Sequence, residues 1–265
     1  MRRFALGSLS VLVICFGFIL QAAQGQTPTT TGSTPSVDPQ AVAVLQQSVA
    51  AMGTTSPSDS TATGTITTVA GSLSESGTVT ILTLGTNQTS EQIQTPHGST
   101  IVYSQGQASQ VVGSNSSLLS TELSLCSQSA VFPLPLVTAA LNNADTSYKY
   151  VGVESLNGKS AYHVQIWNSY ASTAWLQSLS SFTVRDIWLD AVSYLPQRFS
   201  YIQRAAGGSE PGIAVDVFYS DYQNVIGVLY PLSILKSYNG TPSATITIHK
   251  VVLNTGLTNS DFPVQ

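Results

Sequence analysis

The sequence predicts an α+β fold, with an antiparallel sheet of about ten strands covered on one face by two or three helices. Three observations carry this. A stretch near residue 40 repeats its apolar residues at three- and four-residue spacing. Most of the chain after residue 62 alternates with period two. Gly, Pro or Asn stands near the joins between the alternating runs.

The first helix is bounded by its own punctuation. Asp38 is a good N-cap, Pro39 suits a first helical turn, and Gly53 stands where a C′ glycine belongs. Between them Ala41, Val42, Leu45, Val49 and Met52 form one apolar face. After a polar loop at 54–61 the period changes. Strands are predicted at 65–69, 78–84, 90–95, 100–103 and 108–112, a meander of successive hairpins. Residues 117–127 are weakly helical, and Pro133-Leu134-Pro135 leads into a short helix over 136–142. Both pieces interrupt the sheet and could lie across it. Strands resume at 148–154 and 160–167 around the turn Leu156-Asn157-Gly158, and 168–181 reads as a loop. Further strands are predicted at 183–190, 197–205, 213–222, 225–230 and 244–253.

The N-terminus carries the three parts of a secretory signal. Arg2 and Arg3 precede an apolar run from Phe4 to Leu20, and Ala23-Gln24-Gly25 is a small-x-small cleavage site. Residues 1–25 are therefore expected to be a cleaved signal peptide, which places the mature protein in the periplasm or outside the cell, in soluble form. Cys15 lies inside the apolar run and is misplaced for lipidation. Residues 26–37 are a Thr/Ser/Pro-rich flexible linker. The absence of a second core or an internal repeat makes 38–265 a single domain.

Composition narrows the function. Without the signal, seven basic residues face thirteen acidic ones, a net charge of 7 − 13 = −6. Such a chain has no electrostatic footprint for nucleic acid. Charged residues make up only 8% of the chain, which leaves few groups for acid–base chemistry. Cys126 alone remains among cysteines, so no intrachain disulfide can form and stability rests on a core.

Alternation places Ile66, Ile81, Ile93, Tyr162, Val164, Ile166, Ile187, Leu189, Phe199, Tyr201, Val215, Val217, Tyr219, Ile246 and Ile248 on one dry face. Thr65, Thr67, His163, Gln165, Asp186, Asp190, Arg198, Asp216, Thr245, Thr247 and His249 share the wet one. The catalytic motifs Gly-x-Ser-x-Gly, His-Glu-x-x-His and Gly-x-x-x-x-Gly-Lys-Ser/Thr are missing. His97 sits in a Pro-His-Gly turn and reads as solvated. His163 and His249 could meet across the sheet, but no acidic or thiol partner is evident for a metal site. Asp186 and Asp190, on one strand, stand about 13 Å apart, too far for paired-carboxylate hydrolysis. Cys126 beside Leu125 reads as a small buried hydrophobe. Neither a catalytic residue, a metal nor a cofactor is expected. Tyr162, Tyr201 and Tyr219 fall on the dry face, where each hydroxyl needs a partner or a wet cavity.

The order of motifs in the second half resembles a known family. Asp186-Ile187-Trp188-Leu189-Asp190 is followed by Tyr194-Leu195-Pro196-Gln197-Arg198, then by the run from Val217 to Pro231, then by Val252-Leu253-Asn254-Thr255-Gly256-Leu257 and Asp261-Phe262. Ala51-Met52-Gly53 before Ala62-Thr63-Gly64, and Tyr150 to Val164 around Leu156-Asn157-Gly158, fit the same pattern. This succession resembles the LolA/LolB-like superfamily of outer-membrane lipoprotein-sorting proteins. The resemblance implies a curved antiparallel unclosed β-barrel whose helices cover the concave face. It also implies that this face holds a lipid or lipoprotein acyl chain. On that basis the candidate ligand-binding residues are Ile66, Ile81, Ile93, Tyr162, Val164, Ile187, Leu189, Phe199, Tyr201, Val217, Tyr219, Ile246 and Ile248. The chain departs from the family in its Thr/Ser-rich linker and 168–181 loop, which look like additions, and in its latch. An arginine expected near the early strands, able to latch the lid, has no counterpart, because residues 4–148 contain no Lys or Arg. The expected function is thus a non-catalytic envelope protein that binds an acyl chain. The alternative is an envelope sensor or protein-interaction module on the same scaffold.

Overall fold

A computed structural model describes residues 34–53, 56–126, 131–204 and 212–264. The signal peptide and most of the linker expected from the sequence lie outside these residues.

Helix α1 (Pro39–Met52) forms where its punctuation places it. The Asp38 carboxylate accepts from the N–H groups of Gln40 and Ala41, and the Gly53 N–H closes the last turn on the Val49 carbonyl. Its buried face is Ala41, Val44, Leu45, Ser48 and Met52. The strands follow as β1 (Asp59–Ala70), β2 (Leu73–Leu84), β3 (Gln88–Thr95), β4 (Gly98–Gln105), β5 (Ala108–Val112) and the two-residue β6 (Ser117–Leu118). Helices α2 (Thr121–Cys126) and α3 (Pro133–Asn142) interrupt them. The second run contains β7 (Thr146–Leu156), β8 (Lys159–Asn168), β9 (Arg185–Asp190), β10 (Pro196–Gln203), β11 (Ile213–Val225), β12 (Val228–Tyr238) and β13 (Thr241–Leu253). A 3-10 helix, Ala174–Thr183, occupies what reads from the sequence as a loop.

All thirteen strands form one sheet in the order β6-β5-β4-β3-β2-β1-β13-β12-β11-β10-β9-β8-β7. The sheet is not closed, as expected, but it has thirteen strands rather than about ten. The differences from expectation have local causes, one added strand and two places where strand ends shift. The pairing of Ser117 with Val111 adds β6 within a stretch that looked helical. The 54–61 loop yields its last residues to β1, where small buried Ser60 and Ala62 hide the alternation. The hairpin between β11 and β12 turns at Ile226-Gly227, not at 223–224, so both strands are longer than expected.

Two meanders therefore meet at the pair β1·β13. The seam contains a bulge between Thr63 and Gly64. A Cβ on Gly64 would sit 2.0 Å from the Thr247 carbonyl oxygen, so only glycine fits there. The outer edge of β7 is partly occupied by the chain before α1. Tyr148 N–H donates to the Ser36 carbonyl at 2.7 Å, and Tyr150 N–H donates to the Asp38 carboxylate at 3.0 Å. This covers part of an edge that would otherwise offer unpaired backbone groups.

The core lies between the concave sheet face and the helices. Leu45 and Met52 of α1 and Leu134 and Val137 of α3 pack in one cluster with Ile66, Ile81, Ile187, Leu189, Phe199, Ile234, Ile246 and Ile248. Among the described residues, no helix is long and apolar enough to cross a membrane.

Candidate functional site: a cavity beneath the α2–α3 lid

The cavity forms where α2 and α3 bridge the gap between the two meanders. It holds about 300 Å³, the lower end of the range for small-molecule sites. Leu125 of α2, with Phe132, Pro135, Leu136, Ala139 and Ala140 of and before α3, makes an apolar roof. The facing walls come from the β2–β3 and β4–β5 turns and from the ends of β7 and β8, with Ile166, Trp167 and Tyr170 as the large apolar groups. Thr83 and Ser104 also line it, and both are already paired across the strands. Thr83 bonds Ser60 at 2.6 Å and Ser104 bonds Ser109 at 2.9 Å. The C-terminal end of α3 is fixed by the Tyr148 hydroxyl, which donates to the Ala140 carbonyl at 2.5 Å.

Among the described residues, Arg185 is the one side chain with a full charge on this lining. Its position on β9 has the parity of Ile187 and Leu189, so it enters the concave side and is almost completely buried. The guanidinium donates to the carbonyls of Leu125 and Cys126 at the end of α2. It also reaches the carbonyls of Phe182 at 3.2 Å and Val184 at 3.1 Å. Its carbon lies 5.1 Å from the centre of the Tyr201 ring. Burial pushes its pKa down, partly offset by Tyr201, Cys126 and Tyr170. A lid-holding arginine is therefore present, supplied by the second meander instead of the early strands. The parity of Arg185 with its apolar neighbours was the available sequence signal.

Other ionisable groups also enter the concave side. Glu91 of β3 pairs with Ile81, and Lys236 of β12 pairs with Val217. Burial raises the Glu91 pKa, against the pull of Lys236. Burial would lower Lys236, but Tyr201, Glu91 and Tyr238 outweigh it and hold its pKa up. Burial raises Tyr219 and Tyr222 well above their usual values, and the Tyr222 hydroxyl donates to the Pro196 carbonyl at 2.7 Å. The dry face is thus less uniformly apolar than alternation suggests.

The thirteen residues singled out from the sequence all belong to the concave core. Ile66, Ile81, Val164, Ile187, Leu189, Phe199, Tyr201, Val217, Tyr219, Ile246 and Ile248 are buried in it. Ile93 and Tyr162 pack against it half-buried, Tyr162 with its ring 5.5 Å from that of Tyr194. The cavity lining is formed mostly by other residues, from turns and lid helices where alternation gives no signal, joined by Ile166 and Arg185 on the apolar phase of β8 and β9.

The wet face contains a network that the sequence did not suggest. His163 places Nδ1 2.8 Å from Glu154 and Nε2 2.8 Å from Asp186, so it does have acidic partners. Cross-strand register stacks His163 on Trp188 (4.2 Å) and brings Arg198 over Trp188 (4.2 Å). Arg198 Nη2 also pairs with Asp216 at 2.7 Å. The two carboxylates flank opposite ring nitrogens and do not converge. Among the described residues, no group of three His, Cys, Asp or Glu side chains could hold a metal ion. His249 bonds Thr65 at 3.2 Å, away from His163. Asp190 caps the turn at Val192 and Ser193, apart from Asp186. His97 is exposed but bonded to Glu75 at 2.6 Å. Cys126 is buried.

Solved structures share this architecture. An outer membrane lipoprotein-sorting protein domain from Vibrio parahaemolyticus matches with a TM-score of 0.57 at 13% identity, over 84% of this chain and 96% of that one. A LolA superfamily protein from Nitrosomonas europaea matches with a TM-score of 0.55 at 14% identity, over 84% and 97%. The fold is the LolA fold. A DUF1329 family protein from Desulfovibrio piger shares it, with a TM-score of 0.52 at 14% identity, over 84% and 97%. No family model matches the sequence, and no curated protein matches it. The LolA likeness is thus one of backbone architecture, and the side chains that line the cavity are this chain's own.

Proposed function

We propose that the protein is an exported, non-catalytic carrier that holds the acyl chain of a lipid or lipoprotein between the α2–α3 lid and the concave face. The observation that carries this reading is the lid itself. Two short helices roof a cavity with apolar side chains, and one buried guanidinium ties the end of α2 down. A helix of six residues has little stability of its own, so the lid is a separable element. Beneath it lie Tyr201 and the apolar core, the surface that an acyl chain would meet as the lid lifts. Residues 1–25 supply the export signal and 38–265 the carrier domain. The name of the Vibrio protein, a lipoprotein-sorting domain, agrees with this use of the fold.

Native mass spectrometry of the mature chain, with titration by a fluorescent fatty acid, tests the reading. The expected result is copurified lipid or saturable one-to-one binding. A protein that neither carries lipid nor takes up the probe would refute it. A stoichiometric protein partner with no lipid bound would favour the sensor or interaction module.

A further inference from the structure

We infer that the guest carries an uncharged, hydroxyl-bearing head group, a glyceryl or glycosyl unit, on its apolar chain. This inference rests on the acyl-chain reading and specifies the other end of the same guest.

The cavity is two-sided. Its roof is apolar, while its opposite wall and mouth carry five amide side chains: Asn87, Gln88, Gln107, Asn143 and Asn168. Each amide offers two donors and an acceptor, and the fold uses only part of them. The Gln88 amide nitrogen donates to Asn259 at 2.8 Å, leaving its Oε1 buried without a partner among the described residues. Asn143 and Asn168 spend their oxygens on the N–H groups of Asp145 and Tyr170, each at 2.9 Å. Their NH₂ groups have no bond among the described residues. The side chains of Asn87 and Gln107 stand exposed at the mouth. Trp167 lies on the same lining and gives a flat apolar surface beside the amides.

Charge excludes the common alternatives. Among the described residues the lining contains no Asp or Glu, so a cationic head has no counter-ion there. Arg185, the one cation on the lining among the described residues, is committed to four backbone carbonyls, so an anionic head would have to strip it from the lid. A burial penalty for an unpaired charge makes both costly. A polyol hydroxyl both donates and accepts, which matches a set of free NH₂ donors beside an orphaned carbonyl oxygen.

The test uses the full mature chain and four probes sharing a twelve-carbon chain, below their micelle concentrations: lauroyl glycerol, dodecyl glucoside, laurate and dodecyltrimethylammonium. Binding is read by calorimetry and tryptophan fluorescence. The glycerol or the glucoside probe is expected to bind about tenfold or more tightly than either ion, and the tighter of the two identifies the head-group source. Asn87→Ala with Gln107→Ala, which breaks no bond within the fold, should weaken the polyol probes severalfold and leave laurate unchanged. Gln88→Leu should do the same, with thermal melting as the control for folding. Laurate binding as tightly as the polyols, or variants that weaken all probes alike, would overturn the inference while leaving the carrier reading intact. Failure of all four to bind would overturn both.

Discussion

Replacing Arg185 with Met should unlatch the lid while keeping the volume of the buried stem. The guanidinium makes two bonds to the last carbonyls of α2, those of Leu125 and Cys126. A hydrogen bond to a charged group contributes about 1.5–3 kcal/mol. The lower end applies here, because the guanidinium regains water when the lid lifts, which offsets part of its hold. Two bonds then give about 3 kcal/mol, or about a hundredfold in the opening equilibrium. Hydrogen exchange reads this directly. The amides of Ser124, Leu125 and Cys126 should exchange about a hundredfold faster in Arg185→Met, with those of Ile246 and Ile248 in the core little changed. A fluorescent acyl probe should also enter faster. If α2 amides keep their protection, or if α2 and core amides lose it equally, the guanidinium is not a latch and the argument for a separable lid fails.

Three further outcomes follow from particular contacts. Ile226 sits at φ 51° in the β11–β12 turn with its side chain almost fully exposed, a poor place for a β-branched residue. Ile226→Asn should raise stability by about 1 kcal/mol in chemical denaturation; a loss of stability would show that the turn is not strained. Burial alone would raise the Asp59 pKa, but hydrogen bonds from Thr255, Gly256 and Ser58 outweigh it and hold it below 3.8. Its contribution is therefore present above that value and lost as pH falls through the lower, folded-state value. Asp59→Asn should cost about 2–3 kcal/mol at neutral pH and much less in strong acid; a pH-independent cost would contradict the assignment. Glu91 has the opposite sign. Its folded pKa is raised, so its contribution is fully present below the ordinary value of 4.5 and is lost as pH rises through the folded value. Glu91→Gln should accordingly melt higher than wild type at neutral pH, the difference closing in acid, and a lower melting temperature at neutral pH would refute the sign.

Much of the fold was legible because its signals are local. Asp38, Pro39 and Gly53 mark the limits of α1 in the sequence, and period two reveals most strands. Strand ends were less legible where small residues replaced the alternation, as at Ser60 and Ala62, or where a turn used Ile226 in a conformation that residue rarely adopts. The cavity was hardest to read. Its walls come largely from turns and from α2 and α3, brought together by curvature that no local pattern encodes, so Gln88 was not singled out, and Arg185 was missed although it shares the parity of Ile187 and Leu189. The His163–Trp188–Arg198 stack depends on register between strands far apart in the chain, which alternation assigns to a face but not to a neighbour.

The seam between β1 and β13 makes completion of the sheet a late event. Ser60 pairs with Leu253, so the centre of the finished sheet is built from segments near opposite ends of the chain. Each meander can form its own hairpins early, yet each then presents a long, unpaired edge until the other arrives. A chain secreted from its N-terminus would leave β1 waiting, exposed, for the last strand to emerge. If the chain is exported as proposed, the rate of translocation sets how long that edge stays exposed.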